Sequence, residues 1–119
     1  MPAIVIKTFA DVQAALNKFV TDNKITLGPP HGAFWQNGAK PGDQYDNFVN
    51  GDAIPGFPIL VKGSGKDSNI IKALSGIAPF DRATNPSDPF PQMPAPRGPY
   101  LDPETIDAIS AWIDAGANQ

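Results

Sequence analysis

The chain has no cysteine and only one histidine, His31, among its 119 residues. Without cysteine it can form neither a disulfide bond nor a thiolate metal site, although this does not identify its compartment. A single histidine excludes a two-histidine metal site within the chain. A serine triad would have to use His31, but the nucleophile pattern G-x-S-x-G is absent. We find no catalytic constellation and expect a protein that is not an enzyme.

Long apolar runs and dense positive charge are also missing. No stretch approaches the ~20 apolar residues of a membrane-spanning helix, and the apolar segment at residues 1–7 is too short for a secretory signal. The formal net charge is −3, without a block of Lys or Arg, which gives little reason to expect nucleic acid or a membrane as a partner. We expect a soluble cytoplasmic protein, or a periplasmic one if a leader has been removed.

The composition indicates a folded domain rich in loops. Hydrophobic residues make up 41% of the chain, which suffices for a modest core, whereas 14 prolines and 11 glycines indicate long irregular segments. For a chain of this length we predict a single domain, residues 1–119.

Four segments have the marks of helices. They cover residues 9–23, 41–50, 68–76 and 102–116. The first begins after Thr8, with a weak capping-box pattern, and shows apolar residues at helical spacing. Ser68 is predicted to cap the third helix and Gly76 to end it. The last helix is the clearest, because Asp102 is a good N-cap and Pro103 suits the first helical position. Its apolar stripe is Ile106, Ile109, Trp112 and Ile113.

The segment between the last two helices, residues 77–101, contains seven prolines. No regular element fits such a segment, and a loop of this length is usually a binding loop or disordered. Its large apolar residues favour a packed binding loop. Since no alternating strand pattern occurs, we predict an all-α domain with a high loop fraction.

A short glycine-rich segment, GSGK at residues 63–66, is similar to part of a phosphate-binding loop. That motif requires a glycine where Leu60 stands and Ser or Thr where Asp67 stands. We therefore interpret the segment as an ordinary loop.

The segment PQMPAPRGPYL at residues 91–101, followed by the last helix, resembles the methionine loop and C-terminal helix of class I cytochromes c. The segment LGPPH at residues 27–31 has the frame of that family's haem-attachment motif C-x-x-C-H, with Leu27 and Pro30 at the cysteine positions. By this resemblance His31 matches the proximal ligand of the haem iron and Met93 the distal one. The resemblance implies a cytochrome c-like fold with three to five helices, in which covalent haem is excluded.

Three functions follow from this resemblance and from the residues. The first is a haem-free binding or scaffolding module, accessory to an oxidoreductase, that needs no cofactor and binds a protein partner through Phe80, Phe90 and Tyr100. The alternative is an electron-transfer protein that binds haem non-covalently through His31 and Met93. A third is a small enzyme or metal-binding protein that uses His31 with nearby aspartates. Several aromatic residues are expected to fill the space of a missing haem: Phe34, Trp35, Phe57, Phe80 and Phe90.

Overall fold

The computed structural model describes residues 6–24, 34–36, 38–54, 57–78, 80–82, 84–88, 92–93 and 100–119. Its α-helices are α1 (Phe9–Asp22), α2 (Pro41–Asn50), α3 (Asn69–Ser75) and α4 (Pro103–Asp114). Single 3-10 turns occur at Phe34–Gln36 and Gly65–Asp67, and two short strands are β1 (Asp52–Ile54) and β2 (Phe57–Pro58). The four predicted helices are confirmed, and the described part of the chain is predominantly helical.

Helix α1 begins with the capping box that the sequence suggested. The Asp11 backbone N–H donates to the Thr8 hydroxyl, and the Thr8 backbone N–H donates to the Asp11 carboxylate. The backbone N–H of Lys7 also donates to that carboxylate, at 2.9 Å. These bonds, first that from Lys7 and then that from Thr8, lower the pKa of Asp11, because they stabilise its ionised form.

Helix α4 starts as predicted, with the Asp102 carboxylate accepting the Thr105 backbone N–H at 3.0 Å. Helix α3 differs at its start. Ser68 precedes α3, but its side chain makes no cap hydrogen bond. Its hydroxyl accepts the Val61 backbone N–H at 2.8 Å and donates to the Ser64 carbonyl at 2.9 Å. Ser68 is fully buried, so its hydroxyl satisfies backbone groups of the turn at residues 61–68.

One hydrophobic cluster joins all four helices. Phe9 at the start of α1 stacks against Trp112 near the end of α4, with ring centroids 6.5 Å apart, and packs on Phe48 of α2 at 5.2 Å. The Phe9 backbone N–H also donates to the Asn118 carbonyl at 3.0 Å. The beginning of the first helix is therefore fastened to the end of the last one.

The strand pair was not predicted. Strands β1 and β2 are antiparallel, with Ile54 opposite Phe57 and Asp52 opposite Pro58. A pair this short contains too few residues to show a two-residue alternation in the sequence. It brings the chain from α2 to Ile59 and Leu60, which are both buried.

Within the described ranges, none of the helices has the length and apolar character needed to cross a membrane.

Candidate functional site

The loop between α3 and α4, residues 77–101, is called the methionine loop below because it contains Met93. Residues 92–93 of this loop attach it to the end of α3. The Met93 backbone N–H donates to the Ala73 carbonyl at 2.9 Å, and the Gln92 side-chain amide donates to the Leu74 carbonyl at 2.9 Å. Carbonyl groups in the last turn of a helix have no partner within the helix. Residues 92–93 provide two of these partners, and both side chains are half-buried.

Gly76 allows this close approach. Its φ of +71° is left-handed, and a Cβ atom there would lie 2.7 Å from the Gln92 side-chain oxygen. The next residue, Ile77, donates its backbone N–H to the Lys72 carbonyl at 2.9 Å, which is the long bond of a Schellman motif. The last carbonyl groups of α3 thus accept hydrogen bonds both from Ile77, just after the helix, and from residues 92–93 of the methionine loop.

The first half of the methionine loop contains a turn closed by its own hydrogen bonds. The Asp81 backbone N–H donates to the Asp88 carboxylate at 3.1 Å, and the Asn85 backbone N–H donates to the Asp81 carbonyl at 2.7 Å. The Thr84 hydroxyl donates to the Asp81 carboxylate. Asp, Asn and Thr side chains commonly bond to nearby backbone in this way. The described residues of this segment, 81–82 and 84–88, form no helix or strand, but they have defined internal bonding.

The structure separates the residues that were predicted to contact a partner. Tyr100 is 42% exposed and available at the surface, whereas Phe80 is only 3% exposed. The expectation that Phe80 is presented to a partner is therefore wrong for this conformation, because its ring is buried. Phe90 lies outside the described residues.

A further exposed apolar residue in the loop was missed from the sequence. Ile77 is 53% exposed. A Schellman motif often places its residue after the glycine against an apolar side chain in the last helical turn. Two helical positions can make this contact, and here they are Lys72 and the buried Ile71. Because one of the two is apolar, the sequence contains no clear signal that Ile77 is exposed.

Two described residues bear on the predicted haem site, Met93 and Trp35. His31, the predicted proximal ligand, lies outside the described residues, so Met93 is the one proposed iron ligand whose surroundings are seen. Among the described residues, 17 buried ones form a continuous cluster between the helices. Trp35, one of the residues expected to fill a missing haem's space, belongs to that cluster and donates its indole N–H to Asn17 at 2.8 Å. Trp35 is therefore part of the core that joins the helices.

A depression lies beside the end of α4. Its volume is about 270 Å³, below the roughly 300–1,000 Å³ of typical small-molecule pockets. The described residues that line it are Ile6, Lys7, Ala111, Trp112, Ala115 and Asn118, so Met93 is not among them.

The GSGK segment is a structural turn. The backbone N–H of Gly63 donates to the Ile113 carbonyl at 2.9 Å, and that of Gly65 donates to the Asp114 carboxylate at 2.7 Å. A phosphate-binding loop needs such N–H groups free to face the phosphate. Here they hold the turn against α4, which confirms the interpretation as an ordinary loop.

The aspartates near His31 in the sequence that were considered as metal ligands are Asp43, Asp46 and Asp52. Asp43 lies in the first turn of α2, Asp46 accepts the Asn50 side-chain amide at 2.8 Å, and Asp52 is the first residue of β1. Among the residues that the structure describes, no group of three or more His, Cys, Asp or Glu side chains could hold a metal ion.

Comparison with known proteins gives no further assignment, because no family model, no curated protein and no solved structure matches the chain.

Proposed function

We propose that this protein is a haem-free, cytochrome c-like module that acts by binding or scaffolding a protein partner beside an oxidoreductase. It resembles the cytochrome shell in the order of its helices and in its methionine loop. The surface at the two ends of that loop binds the partner.

The observation that carries the proposal is the packing of the interior. The buried cluster includes residues of α1, α2, α3 and α4 together with Trp35 and Leu101. Its members are in contact with one another through apolar side chains, so the described core has the means to be stable without a prosthetic group. A domain of this kind can keep the shell of an electron carrier while serving another purpose.

The attachment of the methionine loop supports the same function. Gln92 and Met93 fix the loop to α3, and Leu101 is buried at its other end. Tyr100 and Ile77 remain exposed beside these fixed points. A surface that is already ordered loses little conformational freedom when a partner binds.

The two exposed residues are expected to lie on one side of the molecule. Gly65, shortly before α3, is close to Ser110 and donates to Asp114 near the end of α4, and α3 packs on α4. The start of α3 therefore lies beside the end of α4. We infer that the two opposite ends, the end of α3 followed by Ile77 and the start of α4 preceded by Tyr100, also lie on one side. We infer an apolar partner surface that accepts one aliphatic and one aromatic side chain.

The first test is the visible absorption spectrum of the protein, purified without chelator, before and after titration with haemin. We expect no stoichiometric Soret band. A stoichiometric band that disappears in His31→Ala would replace the proposal by its alternative, a non-covalent electron carrier with His31 and Met93 as ligands.

The second test measures partner capture with matched surface variants. The double variant Ile77→Ser/Tyr100→Ser removes the exposed apolar groups at the loop ends. Val61→Ser removes an equally exposed one, since Val61 is 46% exposed, but from the turn at the opposite end of α3. We expect a partner held by the native protein and by Val61→Ser to be lost from the double variant. Equal capture by all three proteins would show that the loop ends are not the interface.

A further inference from the structure

We propose that the junction between Asn50 and Gly51 is a site of covalent self-modification, in which Asn50 loses its side-chain amide through a cyclic imide. The Gly51 backbone nitrogen, after giving its proton to hydroxide, attacks Cγ of Asn50. A new C–N bond closes a five-membered ring, the Cγ–Nδ2 bond breaks, and the nitrogen leaves as ammonia after taking a proton from water. Water then opens either carbonyl of the imide, which yields aspartate or isoaspartate.

The structure places this pair where the ring can form. Asn50 is the last residue of α2 and is exposed. Ring closure needs rotation about the Cα–C bond of Asn50, and the interior of a helix restrains that rotation. Asn50 is the last helical residue, and Gly51 has φ −99° and ψ 176°, so no further helical turn follows to restrain it. Glycine also has no side chain to hinder the approach of its nitrogen to Cγ.

The fold itself requires the glycine of this reactive pair. A Cβ atom on residue 51 would lie 2.3 Å from the Asn47 carbonyl oxygen, closer than any carbon–oxygen contact tolerates. Gly51 also accepts the Ile59 backbone N–H on its carbonyl at 3.2 Å, next to the start of β1. The sharp exit from α2 thus fixes glycine at 51, and the sequence places asparagine before it.

The modification would change the chain where α2 ends and β1 begins, next to residues of the hydrophobic core. The Asn50 amide now donates to Asp46 at 2.8 Å. Its replacement by a carboxylate removes that donor and puts two negative charges four residues apart on α2, which weakens a helix. An isoaspartate would in addition lengthen the main chain between α2 and β1. The neighbours Phe48 and Val49 are both buried, so α2 and its core contacts would loosen as the protein ages.

The test is tandem mass spectrometry of the full-length protein, incubated folded at mildly alkaline pH and, in parallel, unfolded in urea. In the folded protein we expect the mass increase of an NH₂-to-OH exchange at Asn50, with two products of different retention, and a rate that rises with hydroxide concentration. Asn47, followed by phenylalanine, and Asn23, followed by lysine, serve as internal controls and should keep their amides.

The variant Asn50→Gln is the matched control, because it keeps the amide but forms a six-membered imide far more slowly. We expect the mass increase to vanish from its peptide. The proposal is overturned if folded Asn50 stays as intact as Asn47 for a time in which the unfolded chain has reacted at Asn50. Persistence of the same mass increase in Asn50→Gln would equally refute the assignment.

Discussion

Replacing Trp112 by alanine would test whether the first and last helices depend on each other for stability. Trp112 is 2% exposed and packs against the rings of both Phe9 and Phe48, with centroid distances of 6.5 and 6.2 Å. Its indole N–H donates to the Asn118 carbonyl at 2.9 Å. The substitution would therefore remove a buried aromatic side chain and one partly buried hydrogen bond together.

The expected loss is large compared with the stability of a domain of this size. Truncation of a buried Trp or Phe to alanine costs about 3–5 kcal/mol, whereas a domain has a free energy of unfolding of about 5–15 kcal/mol in total. The hydrogen bond contributes the smaller part. The Asn118 carbonyl also accepts the Phe9 backbone N–H, so it keeps a partner after the indole is removed, and only the cavity remains unfilled.

The assay is urea unfolding followed by far-ultraviolet circular dichroism, since removing Trp112 would alter a fluorescence signal directly. Trp112→Phe is the control, because it keeps a ring against Phe9 and loses only the donor and part of the volume. We expect it to cost about 1–2 kcal/mol, mainly through the lost hydrogen bond and volume. If Trp112→Ala unfolds cooperatively within about 1 kcal/mol of the native protein, far below the cavity range, the packing of α4 against α1 described above is wrong.

Three further local features can be tested by substitution. Gly65→Ala would force a Cβ atom to 2.1 Å from a hydroxyl of α4 and should cost about 1–3 kcal/mol by overpacking, whereas Gly42→Ala, with open space around it, should be neutral or slightly stabilising in urea unfolding. Lys24, shortly after the end of α1, has a left-handed φ of +53°. Lys24→Gly should raise the melting temperature, because relief of about 1–2 kcal/mol of backbone strain exceeds the entropy cost of glycine. A fall in melting temperature would show that the conformation is not strained. Hydrogen bonds, first that from the Lys7 backbone N–H, lower the pKa of Asp11 in the folded protein. Because this pKa is lower in the folded than in the unfolded state, the stabilisation by Asp11 is present above the unfolded pKa of about 4 and is lost as pH falls through the folded pKa. Urea midpoints measured from pH 6 to pH 2 should fall less in Asp11→Asn than in the native protein, and parallel curves would contradict this.

The elements that could be predicted from the sequence are those that short-range chemistry determines. Thr8 and Asp102 cap their helices through bonds to residues three positions away. Gly76 ends α3 because it adopts a left-handed conformation that other residues avoid. In each case the cause and its effect lie within one helical turn, so a single sequence contains the information.

The elements that were missed depend on partners that are distant along the chain or on which face is buried. Ser68 stands where a helix cap is expected, but it is buried and its hydroxyl bonds to the backbone of the turn that begins at Val61 instead of to the helix. Phe80 looks like an exposed aromatic in a proline-rich loop, yet it is buried. The sequence shows that the loop contains apolar residues, but whether each of them is buried or exposed depends on the other parts of the folded chain.

The contacts that attach the methionine loop to α3 show whether they depend on a bond between Met93 and a haem iron. The loop is held to α3 by the backbone N–H of Met93 and by the side chain of Gln92. Neither bond uses the Met93 sulfur, so these two contacts do not depend on a bond from that atom to iron. Any residue with a backbone N–H could make the first contact, and the glycine at position 76 makes room for the second. These contacts therefore hold the loop without using the chemistry of methionine, and among the described residues of the loop they leave Ile77 and Tyr100 as exposed apolar groups near its ends.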